Sequence, residues 1–314
     1  MSTKTILFTL ITLNSFYSFS QPGLVRCTVQ NNPDKTLSFN SSSQAYADYT
    51  LRITFTALEG YTSRSLFNSN TALVTVSPGN MEAMKLIPNN SSMTPRMQYK
   101  YQYYVGHSFS KLPDTTFQYL IPASAGNTVR VSSVSSVSSA GTTASQLLGR
   151  EWRGTSFNYK LNDTICAARA GIITDCTDTV KVGEKTEVIY NRNRNRIQIE
   201  QRDGTIAAYG LTAPIKLLVK AGDEVFPGQP LAIFNVESPR YFAFFSVSYL
   251  DEKKLLTENL PDNTVYYDYI PTYFYTTEKG QSTVLERTKK YTVQYSREII
   301  SKEMTKKEKK KFGF

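Results

Sequence analysis

Polar and apolar residues alternate with a period of two along much of this chain. Tyr49-Thr50-Leu51-Arg52-Ile53-Thr54-Phe55 does so cleanly, and so does Ala72-Leu73-Val74-Thr75-Val76, which stops at Ser77-Pro78-Gly79-Asn80. Met97-Gln98-Tyr99-Lys100-Tyr101-Gln102-Tyr103 puts three tyrosines on one strand face. Such a tyrosine row either packs on a second sheet or offers stacking platforms to a sugar, and packing is the commoner use. Further on, Arg196-Ile197-Gln198-Ile199, Ile206 to Leu211, Val219 to Phe234 and Tyr241 to Val247 are short β-runs broken by Asp203-Gly204 and Pro227-Gly228. Tyr266 to Tyr275 and Tyr291 to Tyr295 read as later strands around a turn at Glu278-Lys279-Gly280-Gln281.

The pattern predicts an all-β protein: a β-sandwich-like domain over 21–141, then a tightly wound antiparallel core over 142–250. Strands packed on that core follow over 251–300, and a Lys-rich tail over 301–314. A Ser/Val/Thr-biased stretch at 130–146 sets the first boundary. The tail is expected to be solvated and frayed, with a short helix at most, or else to serve as an electrostatic tether.

Composition narrows the class. Of 314 residues, 40% are hydrophobic and 20% charged, which excludes wholesale disorder. The net charge of +10 suits attraction to an anionic surface such as a cell envelope. No nucleic-acid-binding motif accompanies it. Residues 1–20, with Lys4, the apolar run Ile6 to Leu13 and small Ser18 and Ser20, read as a signal peptide. The apolar run is too short to span a bilayer and none of membrane length follows, so the chain is expected to be exported and not membrane-spanning. Of the three cysteines, Cys166 and Cys176 either form a disulfide or remain thiols, and Cys27 is left over. Cys166 lacks a nearby base to make it a nucleophile. Glu151, Asp163, Asp175 and Asp178 have no spacing that marks them as more than surface charge. His107, the sole histidine, reads as a turn or surface residue, since one imidazole supplies one ligand at most.

One family accounts for the order of the pieces. Cys166-Ala167-Ala168-Arg169-Ala170-Gly171, the turn Val219-Lys220-Ala221-Gly222-Asp223-Glu224-Val225 and Pro227-Gly228-Gln229-Pro230-Leu231-Ala232 resemble the β-core of lysostaphin-type M23 zinc peptidases. Asp48 to Phe55 with Leu58-Glu59-Gly60-Tyr61, then Val76 to Gly79, resemble the amino-terminal domain of the two-domain secreted type common in Bacteroidetes. Phe117 to Pro122 resemble the lead-in to the catalytic half. The resemblance implies a duplicated hybrid motif. In active members a His and an Asp, with one His of a His-x-His pair, hold zinc and activate a water, while a Tyr-x-His-Leu segment assists.

Here those positions carry other residues. Ser156 stands for the Asp, and Trp152 or the Ser-rich run before it for the first His. Tyr209-Gly210-Leu211-Thr212 replaces Tyr-x-His-Leu, and Phe242-Ala243-Phe244 replaces His-x-His. Neither Phe nor Leu ligates a metal. Trp152, Ser156, Tyr209, Leu211, Phe242 and Phe244 are therefore the candidate lining of a vestigial groove, with no catalytic, cofactor or metal-binding residue expected. The implied function is an exported, catalytically inactive peptidase homologue that binds peptidoglycan or a partner enzyme. The alternatives are an envelope scaffold with a collapsed groove and a hydrolase with non-standard chemistry.

Overall fold

The computed structural model describes residues 24–68, 70–89, 96–136, 153–180, 195–257, 266–276 and 282–314. The expected signal peptide over 1–20, Glu151 and Trp152 lie outside the described residues. Among the described residues strands dominate, and the three helices are short.

The amino-terminal strands are β1 (Val25–Asn31), β2 (Leu37–Ser43), β3 (Tyr49–Glu59), β4 (Tyr61–Thr62), β5 (Thr71–Val76), β6 (Gly79–Pro88) and β7 (Arg96–Val105). They form a four-stranded sheet, β1-β2-β6-β4, and a three-stranded sheet, β5-β3-β7. Alternation drives their inner faces together. Phe39 and Leu86 from one sheet share a core with Leu51, Ile53 and Phe55 from the other. The tyrosine row joins this core: Tyr99 meets Phe39 edge-on at 5.0 Å and Tyr103 meets Tyr49 at 5.9 Å.

The second set begins with β8 (Ser108–Phe109), β9 (Gln118–Tyr119), β10 (Thr128–Ser136), β11 (Arg153–Asn158), β12 (Thr164–Cys166), β13 (Gly171–Thr177), β14 (Asn195–Gln201) and β15 (Ile206–Leu211). It continues with β16 (Lys216–Leu217), β17 (Glu224–Val225), β18 (Pro230–Ile233), β19 (Phe242–Asp251), helix α1 (Glu252–Leu256), β20 (Tyr267–Ile270), β21 (Tyr273–Tyr275), β22 (Ser282–Thr283) and β23 (Lys290–Thr292). A ten-stranded sheet runs β17-β13-β14-β15-β19-β11-β10-β23, with β20 and β8 also paired to β19. Two three-stranded sheets, β12-β18-β16 and β22-β21-β9, complete it.

The division between the cores falls earlier than expected. Phe117, Tyr119, Ile121, Val129 and Val131 pack with Phe157, Ile199, Tyr209 and Phe245, not with the sandwich. The boundary therefore lies between Val105, the last strand residue packed on the first core, and Phe117. The Ser-rich bias hides the division because β10 buries Val129 and Val131 in the second core just ahead of its serines.

The Lys-rich end is not a frayed tail. It forms α2 (Arg297–Ser301) and α3 (Lys306–Phe312), folded back on the core. Thr305 and Glu308 cap α3 reciprocally, and Gly313 at φ 73° closes it. Glu303 reaches the buried Arg169 guanidinium at 2.6 and 2.9 Å. Glu308 pairs with Arg202, and Phe312 packs on Phe226 with ring centroids 4.8 Å apart. Charge drew the expectation of a solvated end. The two acids and one aromatic interspersed among the lysines are what dock it.

Candidate functional site

Ladder registers fix where the expected groove residues point. Tyr209 pairs with Phe245, and Leu211 with Ala243. All four belong to the buried core, and Tyr209 is held there by the Ala168 N–H, which donates to its hydroxyl at 2.9 Å. The other face of the same strands carries Gly210, paired with Phe244, which in turn pairs with Ser156 across β11. Phe242 shares that face two residues away, its ring 6.4 Å from that of Phe244. The expected six thus do not line one groove. Ser156, Phe242 and Phe244 come together, Tyr209 and Leu211 lie on the opposite side, and Trp152 is outside the described residues. A strand's side chains alternate, so Gly210, not Leu211, is the β15 residue on the patch.

Phe242 and Phe244 are half-buried there, whereas Ser156 is buried with its hydroxyl 3.3 Å from that of Ser132. A hydroxyl, a glycine and two rings make a surface for packing and stacking and provide no metal ligand set.

The cysteines do not bridge. Cys27, Cys166 and Cys176 are all free thiols. Cys166 lies on β12 of a small sheet with its Sγ 3.7 Å from Ser124 Oγ, while Cys176 lies on β13 of the large sheet facing the Val219 carbonyl. Burial raises the Cys166 thiol above its ordinary value, the reverse of what a nucleophile needs. Asp175 is paired with Arg196, and Asp163 caps a turn through the Lys160 N–H at 2.7 Å.

The chain's one imidazole is not a bystander. His107 Nε2 lies 2.7 Å from Asp48 Oδ2 and 3.9 Å from Glu200 Oε1. Local structure explains each placement. Tyr49 opposite Val105 in the β3–β7 ladder sets Asp48 beside Gly106, whose N–H donates to the Asp48 carbonyl at 2.8 Å. Gly106 has φ +87°, which only glycine adopts readily, and it turns the chain so that His107 faces the core domain. The imidazole then lies on Gly204 of the β14–β15 turn, where a Cβ would sit 2.8 Å from the ring. Glu200, the next-to-last residue of β14, lies on the same outer face as Arg196, which pairs with Gly210. The Asp48 N–H donates to Glu200 Oε2 at 2.9 Å.

Glu200 Oε1 is buried and, among the described residues, finds no hydrogen-bond donor. Burial pushes the Glu200 carboxyl up to about 7; the Asp48 N–H and His107 oppose the shift and the Asp48 charge adds to it. The three ligand-type atoms lie within 4.8 Å of one another. Sequence reasoning missed this cluster because its members come from three distant strand ends. The available signal was the pair of turn glycines, Gly106 and Gly204, one directly before the only histidine.

Compared with known proteins, the chain matches no family model and no curated protein. No helix among the described residues is long and apolar enough to cross a membrane.

Proposed function

We propose that this protein is a non-catalytic relative of the lysostaphin-type M23 peptidases, exported to the cell envelope, that binds wall peptide or a partner enzyme through the outer face of its large sheet. The reading rests on one observation. Ser156 and Phe244, which stand where the resemblance would place two zinc ligands, are direct neighbours across the β11–β19 ladder, with Gly210 beside them. The order of motifs and the meeting of these positions on one face support common descent. The residue types there support lost hydrolysis, because they cannot activate a water through zinc.

Aromatic rings on a firm β-platform suit binding. They offer large apolar contact area at little cost in side-chain entropy. The exposed Lys306, Lys307, Lys310 and Lys311 on and beside α3 provide a second, electrostatic mode of attachment to anionic polymer.

Sedimentation of the mature chain with isolated peptidoglycan, in low and in high salt, tests the reading. Binding that survives high salt is expected from the aromatic face, and binding lost in salt would assign attachment to the lysines. No sedimentation in either condition would favour a scaffold whose contacts are all with protein. Cleavage of wall peptides by the purified chain would overturn the non-catalytic assignment.

A further inference from the structure

We propose that Asp48, His107 and Glu200 form a binding site for one divalent transition-metal ion, with Zn²⁺ the first candidate, and that the ion clips the sandwich to the core domain. Two ligands flank sandwich strands, Asp48 just before β3 and His107 two residues after β7, and the third is the next-to-last residue of β14 in the core sheet. A bound ion would therefore cross-link two separately packed cores.

The geometry fits. Zinc bonds of about 2.0–2.2 Å to nitrogen and oxygen place tetrahedral ligands about 3.4 Å apart. The present spacings from His107 Nε2, 2.7 Å to Asp48 and 3.9 Å to Glu200, bracket that value. Small side-chain rotations equalise them. The chemistry fits as well. One imidazole with two carboxylates suits Zn²⁺ or Mn²⁺, whereas Ca²⁺ takes six to eight oxygens.

The independent sign of a ligand is Glu200 Oε1. Its side chain is only 8% exposed and its free oxygen, without a donor among the described residues, faces the imidazole at a distance too long for a hydrogen bond. A buried carboxylate oxygen left in that state is costly, and a cation between it and His107 removes the cost. The other Glu200 oxygen is held by the Asp48 N–H, which fixes the carboxylate's orientation as outer partners of metal ligands do. His107 is 41% exposed, which leaves a path for the ion and room for a water as fourth ligand.

The site is distinct from the aromatic patch. It lies on the same sheet face but four residues along β14 from the Arg196–Gly210 pair, about 13 Å at the usual strand rise. It therefore stands or falls apart from the binding function proposed above.

The single histidine makes the test unambiguous. Untagged mature chain, stripped by a chelator and then freed of it, is titrated with Zn²⁺ and with Co²⁺. One equivalent should bind, X-ray absorption should show nitrogen and oxygen ligands with one imidazole, and the Co²⁺ form should lack thiolate absorption. His107→Gln and Glu200→Gln should each weaken binding at least tenfold. Glu200→Gln keeps an acceptor for the Asp48 N–H, so it carries the comparison if His107→Gln folds poorly. Failure of the wild-type chain to take up a stoichiometric ion, sulfur in its coordination shell, or equal affinity in a folded variant would each overturn the proposal.

Discussion

Glu200 ties a backbone N–H of one domain to the sheet of the other, and its burial makes folding sensitive to pH. Its carboxyl sits at about 7 in the folded chain, against about 4.3 for an exposed glutamate. Between those values the folded state holds a proton that the unfolded state has released, so stability falls as pH rises through this window. Asp48 and His107 face the same carboxyl, so the effect is read as a difference between variants. In metal-stripped protein, wild type should lose about 2–3 kcal/mol relative to Glu200→Gln between pH 5 and pH 8. Chemical denaturation at both pH values measures it, and an unchanged difference would contradict the burial of this group. Gly204 makes a second prediction at this scale. A side chain there meets the His107 ring and needs φ +86°. Gly204→Ala should cost about 1–3 kcal/mol in a thermal melt, more than the change costs in an ordinary loop.

At the scale of elements, the carboxy-terminal helices are held by an ion-pair system together with apolar contacts of Ile299 and Phe312. The Arg169 guanidinium is 4% exposed, pairs with Asp203 at 2.8 Å and Glu303 at 2.6 Å, and stacks on the Phe117 ring at 3.7 Å. Removing one carboxylate leaves a buried cation half-compensated. Glu303→Ala should therefore destabilise the chain by about 3 kcal/mol and speed proteolysis of the last helices. A variant as stable and as resistant as wild type would show the docking to be incidental. The strands themselves were largely legible. Leu51, Ile53 and Phe55 alternate with polar residues because one face of β3 is buried, and that periodicity survives in the sequence. The tail was not legible, because its charge count hides Glu303 and Glu308 and their partners lie in turns far away along the chain. Side-chain direction was legible only in part. The Phe242-Ala243-Phe244 run shows its own alternation, but whether Gly210 or Leu211 faces it depends on a register between two strands that no local pattern sets.

For the whole molecule, two β-cores meet at a junction built by close backbone approach. Tyr46 lies against Gly222, His107 against Gly204, and the Tyr267 hydroxyl donates to the Val105 carbonyl at 2.8 Å. Two buried cores are compatible with the strand runs of the sequence, though Phe117 to Val131 pack in the second of them, where the serines that follow hide a core strand. The cluster at the junction could not be read, because three-dimensional convergence of Asp48, His107 and Glu200 leaves no spacing in sequence. That junction holds the sandwich over one end of the large sheet, and Phe242 and Phe244 stand toward the other. The most direct test of the account is high-salt co-sedimentation with purified peptidoglycan, comparing wild type with the Phe242→Ser/Phe244→Ser double variant. The account predicts retention of wild type, loss of at least tenfold in the variant with little change in its melting temperature, and intact wall peptides in both. Equal retention of the two proteins, or wall-peptide cleavage that a chelator abolishes, would contradict it.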